Sequence, residues 1–297
     1  MRRIPNTYSL KAEVLERAGR DASVLVMGSS HELNGIRPVE LHAQAINLAN
    51  GSQSLELDAR LSLHAAQRMP ELKLVIFGIS YFSFASRLNA STESWREPFY
   101  MHYFGVHEAQ KFVRLPQLSD YSVAALFDPG QMLLAARTPL AGSVTDRGWL
   151  LANDPNGARA LNDDSAAAAR VRVHESARNT ARDVEVDETR RAETVALLRN
   201  VIATLESRNI AVVFASAPLS EAYRRHLDPK TLTLNSSDLE HTRGGRPFYD
   251  YSADNRFGSA DFANLDHLNA AGASKFTRII DDDIISNALT AGARSAR

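Results

Sequence analysis

Residues 23–31 read Ser-Val-Leu-Val-Met-Gly-Ser-Ser-His (SVLVMGSSH), a short apolar run that ends at a glycine and two serines. An uninterrupted apolar run rich in β-branched residues is typical of a strand that is buried on both faces of a parallel sheet. Gly28 ends the run, and a serine directly after it lies where a helix can begin. The stretch therefore predicts a buried strand from Ser23 to Met27, with Ser30 on the loop at its carboxyl end.

Similar apolar runs recur along the chain. The further candidate strands are Ala45 to Ala49, Leu72 to Ile79, Ile210 to Ala215 and Arg246 to Tyr251. The last of these is expected at a sheet edge, because Pro247 cannot donate to a ladder. Helical patterns lie between them, at 8–18, from the turn at 50–52 to about 69, at 188–208, at 221–226 and at 270–285. Strands that alternate with helices require right-handed crossovers, so we predict a three-layer α/β/α sandwich with a five-stranded, mainly parallel sheet.

The region from about 86 to 187 lacks this regularity. It holds both tryptophans, Trp95 and Trp149, and an Ala-rich and Arg-rich stretch from Asn153 to Arg182. A connection of this length in a compact domain needs secondary structure of its own. We therefore expect one domain over residues 1–297, with a core from about 8–85 and 188–288 and an inserted, mostly helical cap at about 86–187.

The composition excludes several classes of function. The 34 Lys and Arg residues nearly balance the 35 Asp and Glu residues, so no net charge favours nucleic acid as a partner. Cysteine is absent, which excludes disulfides, thiolate catalysis and cysteine-ligated metal. The sequence contains no G-x-G-x-x-G, no phosphate-binding G-K-[ST] and no H-E-x-x-H motif. Neither a cofactor nor a metal is predicted.

The sequence also bears on localisation. It shows no signal peptide, and no apolar stretch approaches the roughly 18 residues that a spanning helix needs. The literal interpretation is a cytoplasmic protein with no membrane span in this chain. The alternative is a periplasmic protein from which an N-terminal anchor was removed.

Two polar motifs near opposite ends of the chain supply candidate catalytic groups. Ser30 is expected at the carboxyl edge of the sheet, where free backbone N–H groups can stabilise an oxyanion. His267, in Asp266-His267-Leu268-Asn269, precedes the last helix and should return to the same edge. A neutral imidazole can accept a serine proton near neutral pH. Each residue alone has an ordinary explanation, as a helix cap or a loop residue, but together they predict a nucleophile and its base.

Four blocks of sequence together resemble the SGNH/GDSL hydrolase superfamily. They are VLVMGSSH (24–31), INLANGSQS (46–54), LVIFGISYFSF (74–84) and DFANLDHLNAAGASKFT (261–277). More narrowly, they resemble bacterial members that have G-S-S in the first block, a group similar to polysaccharide O-acetylation proteins and to the D-alanyl transfer protein of teichoic acid synthesis. The resemblance covers the N-terminal and C-terminal parts of the chain and skips the middle. It implies an SGNH or flavodoxin-like fold.

The resemblance also implies roles for individual residues. It makes Ser30 the nucleophile and His267 the base, and it places the backbone oxyanion donors at Ser30 and near Gly51. One block departs from the family pattern, because Ser80 replaces the asparagine that supplies a side-chain donor. Asn50 or an ordered water would have to replace that donor. Loss of one oxyanion donor costs roughly 2.7 to 4 kcal/mol in the transition state.

A second departure concerns the group that orients the base. The family pattern has a carboxylate three residues before the histidine, and this chain has Asn264 there. An amide oxygen can accept from imidazole Nδ1–H, but an amide that presents N–H favours the wrong tautomer. Asp266 would need an unusual backbone turn to reach the ring of the adjacent His267, and Asp261 depends on the path of the loop. His31, beside the nucleophile, is expected to be structural or to face the substrate.

These observations predict a serine-dependent esterase or O-acyltransferase that acts on acyl esters, in particular acetyl esters, of a small molecule or of a carbohydrate such as an exopolysaccharide. A membrane acyltransferase is a candidate partner. The alternative is a catalytically silent SGNH-like module that binds a polysaccharide or an acyltransferase. A third interpretation, a purely structural α/β domain, requires Ser30 and His267 to lie far apart.

Overall fold

The computed structural model describes residues 6–108, 145, 147–151, 161, 163–179 and 184–289. Within them, five strands form one sheet in the order β2-β1-β3-β4-β5, and every neighbouring pair is parallel. The strands are β1 (Val24–Met27), β2 (Ala45–Asn47), β3 (Leu74–Gly78), β4 (Ala211–Ser216) and β5 (Phe248–Asp250). The predicted α/β class with a five-stranded sheet is confirmed.

Helices flank this sheet in the described part of the chain. They are α1 (Thr7–Ala18), α2 (Ser30–Gly35), α3 (Leu55–Ala66), α4 (Glu97–Phe104), α5 (Asp164–Asn179), α6 (Val184–Glu206), α7 (Glu221–Arg224), α8 (Pro229–Arg243) and α9 (Ala270–Ile280), which continues as a π-helical turn over Asp281–Ile285. None of these helices combines the length and the apolar character needed to cross a membrane.

Alternate residues of the strands face two separate cores, as the two-residue period of a strand requires. In β1, Leu25 and Met27 lie in a core that is completed by α1, α3, α4 and α6. Val24 and Val26 lie in the other core, where they join Phe276 of α9. The sheet is therefore covered on both faces, and the predicted α/β/α layering is confirmed.

Two features of the C-terminal half test the sequence prediction in detail. β5 lies at an edge of the sheet, as Pro247 predicts, and the carbonyl of this proline accepts from Phe214 N at 3.0 Å. Helix α8 was not predicted. Its signals are present, because Asp228 caps its first turn, Pro229 is its first residue and Gly244 ends it in a left-handed conformation.

The predicted insertion at about 86–187 lies only partly within the described residues, and 109–144 are outside them. Helix α4 packs on α1, and its side chains Phe99, Tyr100 and Phe104 belong to the first core. Helix α5 contacts α7 near the carboxyl edge of the sheet. The division into a core and a cap stays a prediction.

The turn from β1 into α2 depends on a close approach between a buried glutamate and two glycines. Glu32 is 2% exposed, and its Oε2 accepts from Ser29 N at 2.9 Å, which caps the helix. A Cβ atom on Gly78 would lie 2.0 Å from Cδ of Glu32, and Gly28 has a φ of 143°. Only glycine permits this approach at both positions. The helix can therefore begin directly at the edge of the sheet, with Ser30 as its first residue.

Replacement of Gly78 by alanine tests this packing. The methyl group would displace the buried Glu32 side chain, so we expect Gly78→Ala to lower the free energy of unfolding by about 1–3 kcal/mol. The matched control is Gly258→Ala, because a Cβ there meets nothing within 4 Å. Urea denaturation followed by circular dichroism measures both variants, and equal stabilities would contradict the proposed contact.

Candidate active site

The structure brings the predicted nucleophile and base into contact. Ser30 is the first residue of α2, and His267 lies in the loop that precedes α9. Although they are 237 positions apart in the sequence, Ser30 Oγ lies 2.8 Å from His267 Nε2. A hydroxyl that donates to an imidazole nitrogen is the arrangement that activates a serine. The large separation that a purely structural domain would require between these two residues is therefore not observed.

Backbone hydrogen bonds fix the loop that carries His267. Phe262 and Leu268 form an isolated antiparallel bridge, and Ala263 N donates to the carbonyl of His267 at 2.8 Å. At the end of the loop, the side chain of Asn269 caps α9 by accepting from Gly272 N at 3.0 Å. The loop is a closed hairpin joined to a capped helix. These hydrogen bonds fix the backbone of His267, from which its ring extends.

Asn264 fixes the tautomer of His267. Its Oδ1 accepts from the backbone N–H of His267 at 2.9 Å and from that of Asp266 at 3.2 Å. Because both backbone groups can only donate, the atom that they contact must be the amide oxygen. The same oxygen lies 3.0 Å from His267 Nδ1. The hydrogen of the neutral ring is therefore on Nδ1, and Nε2 is available to accept the proton of Ser30.

Asp266 also reaches the ring, despite the expectation that its position beside His267 would prevent it. The turn closed by Asn264 brings Asp266 Oδ1 to 3.1 Å from His267 Nδ1. Asp261, the other acidic candidate, instead accepts from Lys275 Nζ at 2.9 Å and from Gly258 N. The base is therefore contacted by both an amide oxygen and a carboxylate, and the carboxylate supplies the negative charge that an imidazolium requires.

The carboxylate of Asp266 is charged although it is buried. Its side chain is 1% exposed, and Arg170 Nε lies 3.2 Å from both of its oxygens. Burial alone would raise the pKa of Asp266, but the charges and hydrogen bonds of His267, His31 and Arg170 outweigh it and hold the pKa well below its usual value. Sequence analysis missed Arg170, because nothing in the pattern of α5 indicates which of its arginines faces the site.

The candidate oxyanion donors differ in their availability. Ser30 N makes no hydrogen bond to any described residue, as expected for the first N–H of a helix. The N–H of Gly51 donates to Asn50 Oδ1 at 3.0 Å. Asn50 is 3% exposed, and its backbone N–H donates to the carbonyl of Gly28 at 3.2 Å, which brings this loop beside the β1 turn. Within the described residues, the Asn50 Nδ2 group forms no hydrogen bond.

Ser80 and His31, which the sequence places in different blocks, form a direct pair. Ser80 Oγ lies 2.7 Å from His31 Nδ1 and 3.5 Å from Ser29 Oγ. His31 is 4% exposed, and its ring centroid is 5.3 Å from that of His267. His31 is therefore part of the site, because it contacts Ser80 and lies beside His267.

The same cluster has the spacing of a metal site. Ligand atoms of His31, Asp266 and His267 all lie within 4.8 Å of one another. However, His267 Nδ1 already contacts Asn264, and the guanidinium of Arg170 on the carboxylate disfavours a second cation there. We therefore interpret the cluster as a hydrogen-bonded ion pair network.

Comparisons of the chain with protein-family models, with curated proteins and with solved structures found no match.

The lowered pKa of Asp266 predicts an acid-dependent contribution to stability. A carboxyl whose pKa is lower in the folded state stabilises the protein above its unfolded pKa of about 3.9 and loses this effect as the pH falls. We expect Asp266→Asn to lower the free energy of unfolding by roughly 3 kcal/mol at pH 7, because it removes one partner of a buried ionic cluster. The difference from wild type should shrink below about pH 4.

Urea denaturation at several pH values measures this difference. The matched control is Asp261→Asn, because its partner Lys275 has a side chain that is 35% exposed. Asp261→Asn should lower the free energy of unfolding by less than about 1 kcal/mol. A constant difference between wild type and Asp266→Asn across the whole pH range would contradict the assignment of a buried carboxylate.

Proposed function

We propose that this protein is a serine-dependent esterase or O-acyltransferase with an SGNH-type site. The observation that carries the proposal is the 2.8 Å contact between Ser30 Oγ and His267 Nε2, together with the contacts of Asn264 and Asp266 on the opposite ring nitrogen. A nucleophile, a base and an orienting group therefore contact one another in that order, which is the geometric requirement for acyl transfer through a covalent intermediate.

In the first half of the reaction, Ser30 Oγ attacks the acyl carbonyl carbon and its proton moves to His267 Nε2. The carboxylate of Asp266 stabilises the imidazolium while the tetrahedral intermediate exists. His267 then donates the proton to the departing alkoxide as the ester bond breaks, which leaves the acyl group on Ser30. In the second half, His267 takes a proton from a water molecule or a carbohydrate hydroxyl, whose oxygen attacks the acyl carbon. The bond between this carbon and Ser30 Oγ then breaks, and His267 returns the proton to Ser30 Oγ.

The negative charge that develops on the acyl oxygen requires donors. The N–H of Ser30 is in place for this role, because it begins α2 and has no partner within the described residues. The amide of Asn50 and the hydroxyl of Ser80 are the side-chain candidates at the same edge of the sheet. Each such donor contributes about 2.7–4 kcal/mol when it is preorganised.

The substrate class follows from the sequence resemblance. Proteins with a similar first block modify polysaccharides, which supports acetyl or other acyl esters of a carbohydrate as substrates. The same resemblance supports a membrane acyltransferase as the source of the acyl group in a transfer reaction.

A second candidate function is a silent module that binds a polysaccharide or an acyltransferase. It is favoured by the state of the oxyanion donors, because Gly51 N–H is occupied by Asn50 and Ser80 is occupied by His31. A site with a complete base but few free donors would bind an ester without turning it over.

A serine-directed fluorophosphonate distinguishes the two functions. We expect the wild-type protein to be labelled, and Ser30→Ala to lose both the label and at least about 10³-fold of its hydrolysis of nitrophenyl acetate, because the nucleophile is absent. The measurements are mass spectrometry of the labelled protein and the initial rate of nitrophenol release.

The matched control is Ser29→Ala, which changes the adjacent serine. Ser29 caps α2, so this variant should lose about 1 kcal/mol of stability but keep the label. Equal labelling of wild type and Ser30→Ala would refute the enzymatic proposal, and carbohydrate binding without labelling would support the silent module.

A further inference from the structure

The glycine that precedes the two serines is bound on both sides of its backbone by another segment of the chain. The paired part of β1 ends at Met27, opposite Phe77 of β3. Beyond it, the N–H of Gly28 donates to Asp58 Oδ1 at 3.0 Å, and the carbonyl of Gly28 accepts from Asn50 N at 3.2 Å. Both polar backbone groups of Gly28 are therefore held by α3 and by the loop that precedes it.

Gln53 joins these two contacts into a closed ring of hydrogen bonds. Its backbone N–H donates to the carbonyl of Asn50 at 3.2 Å, and its Nε2 donates to Asp58 Oδ1 at 2.6 Å. Nε2 also lies 3.4 Å from the carbonyl oxygen of Leu48. Because that oxygen can only accept, the side-chain atom must be the amide nitrogen.

Helix α4 supports the ring through Tyr100. The hydroxyl of Tyr100 donates to Gln53 Oε1 at 2.8 Å. The residues of the ring and its support are all buried, with at most 5% of each exposed: Asn50, Gln53, Asp58 and Tyr100. A buried polar group that loses its partner cannot turn to water instead. Each member therefore fixes the position of its neighbours.

Two successive N–H groups in the turn that follows β1 are bound by two buried carboxyl groups. Gly28 N donates to Asp58, and Ser29 N donates to Glu32 Oε2 at 2.9 Å. The N–H of Ser30 is the next in the chain. Gly28 has a φ of 143°, and glycine adopts many backbone conformations with little cost. The contacts of Gly28, and not its own preference, therefore select the conformation of this turn.

We propose that Asp58 is a positioning residue for the nucleophile, because its bond to Gly28 N selects the turn from which Ser30 begins α2. This inference rests on the proposed function. In another conformation of the turn, Ser30 Oγ would move from its position 2.8 Å from His267 Nε2. A misplacement of about 1 Å can lower a rate by about 10²-fold.

This role requires an acceptor atom at position 58 and not a negative charge. Burial raises the pKa of Asp58 well above its usual value and the carboxyl of Glu32 raises it further, although the hydrogen bonds from Gln53 and Gly28 oppose the rise. The amide oxygen of an asparagine can accept from the same two donors. A leucine, which is similar in size, cannot accept from either.

Two substitutions at position 58 of the full chain test the proposal. We expect Asp58→Leu to lower the second-order rate constant for fluorophosphonate labelling of Ser30 by about 10²-fold, and kcat/KM for nitrophenyl acetate by a similar factor, because the nucleophile is displaced. Asp58→Asn should stay within about threefold of wild type in both measurements. A purely structural defect would lower the final extent of labelling, which reports the folded fraction, but not the rate constant.

Ser62→Ala is the matched control. Ser62 lies on α3 one turn after Asp58, it is buried, and its hydroxyl donates to the carbonyl of Ala59 at 2.8 Å. This variant loses a buried hydrogen bond of the same helix, so it should be less stable but should keep a labelling rate constant within about twofold of wild type.

Tyr100→Phe keeps the proposal testable if Asp58→Leu does not fold. It removes one hydroxyl and leaves the ring of the side chain in the core, and it should slow labelling by about threefold or more because Gln53 loses its support. A rate constant for Asp58→Leu within about threefold of wild type, or an Asp58→Asn that is as slow as Asp58→Leu, would overturn the proposal. If Asp58→Leu does not fold, an unchanged rate constant in Tyr100→Phe would overturn it.

Amide hydrogen exchange separates a failure of this inference from a failure of the proposed function. Exchange at Gly28, relative to Val26 in the same strand, should become about tenfold faster or more in Asp58→Leu and stay close to wild type in Asp58→Asn. Faster exchange with unchanged labelling would overturn the positioning role in an active enzyme. A wild type without label or hydrolysis would refute the proposed function, and the contact of Asp58 with the turn would then stand or fall on the exchange rates.

Discussion

The buried carboxylate of Asp266 is the constraint on which the site depends. A charge that is 1% exposed must be compensated within the protein, because its lost hydration costs several kcal/mol. The compensating groups are Arg170, His31 and His267. They come from α5, from α2 and from the loop before α9, so one side chain links three parts of the chain at the carboxyl edge of the sheet.

A second constraint fixes the position of the nucleophile. Glu32, a residue of α2 itself, caps this helix by accepting from Ser29 N. Its side chain lies against Gly28 and Gly78, where no other side chain fits. Because the helix begins directly at the end of β1, the Oγ and the N–H of Ser30 are presented together at its first turn. The base is oriented by an ionic cluster and the nucleophile by a packed turn. Both devices involve α2, which carries His31 and Glu32, and the 2.8 Å contact between Ser30 and His267 is where they meet.

Much of the fold could be predicted from the sequence, because β1 to β3 and nearly all of β4 are buried on both faces and their apolar runs are nearly continuous. The sheet order and helix α8 were not predicted, although Asp228 and Pro229 carry ordinary helix-start signals. Within the site, the sequence identified Ser30 and His267, which the structure brings into contact. The reach of Asp266 could not be foreseen, since it follows from the turn that Asn264 closes with two backbone N–H groups.

The sequence by itself therefore determined the strands, the turn that ends β1 and the two residue types that a serine mechanism needs. The patterns that identify these features involve residues that are close together in the chain, so they can be recognised from the sequence alone. The tertiary structure alone decided which groups surround them. The pair of His31 with Ser80 and the contact of Arg170 with Asp266 join residues 49 and 96 positions apart. Contacts of this kind depend on how α2, α5 and the loop before α9 pack against one sheet edge, and no periodicity in the sequence encodes that arrangement.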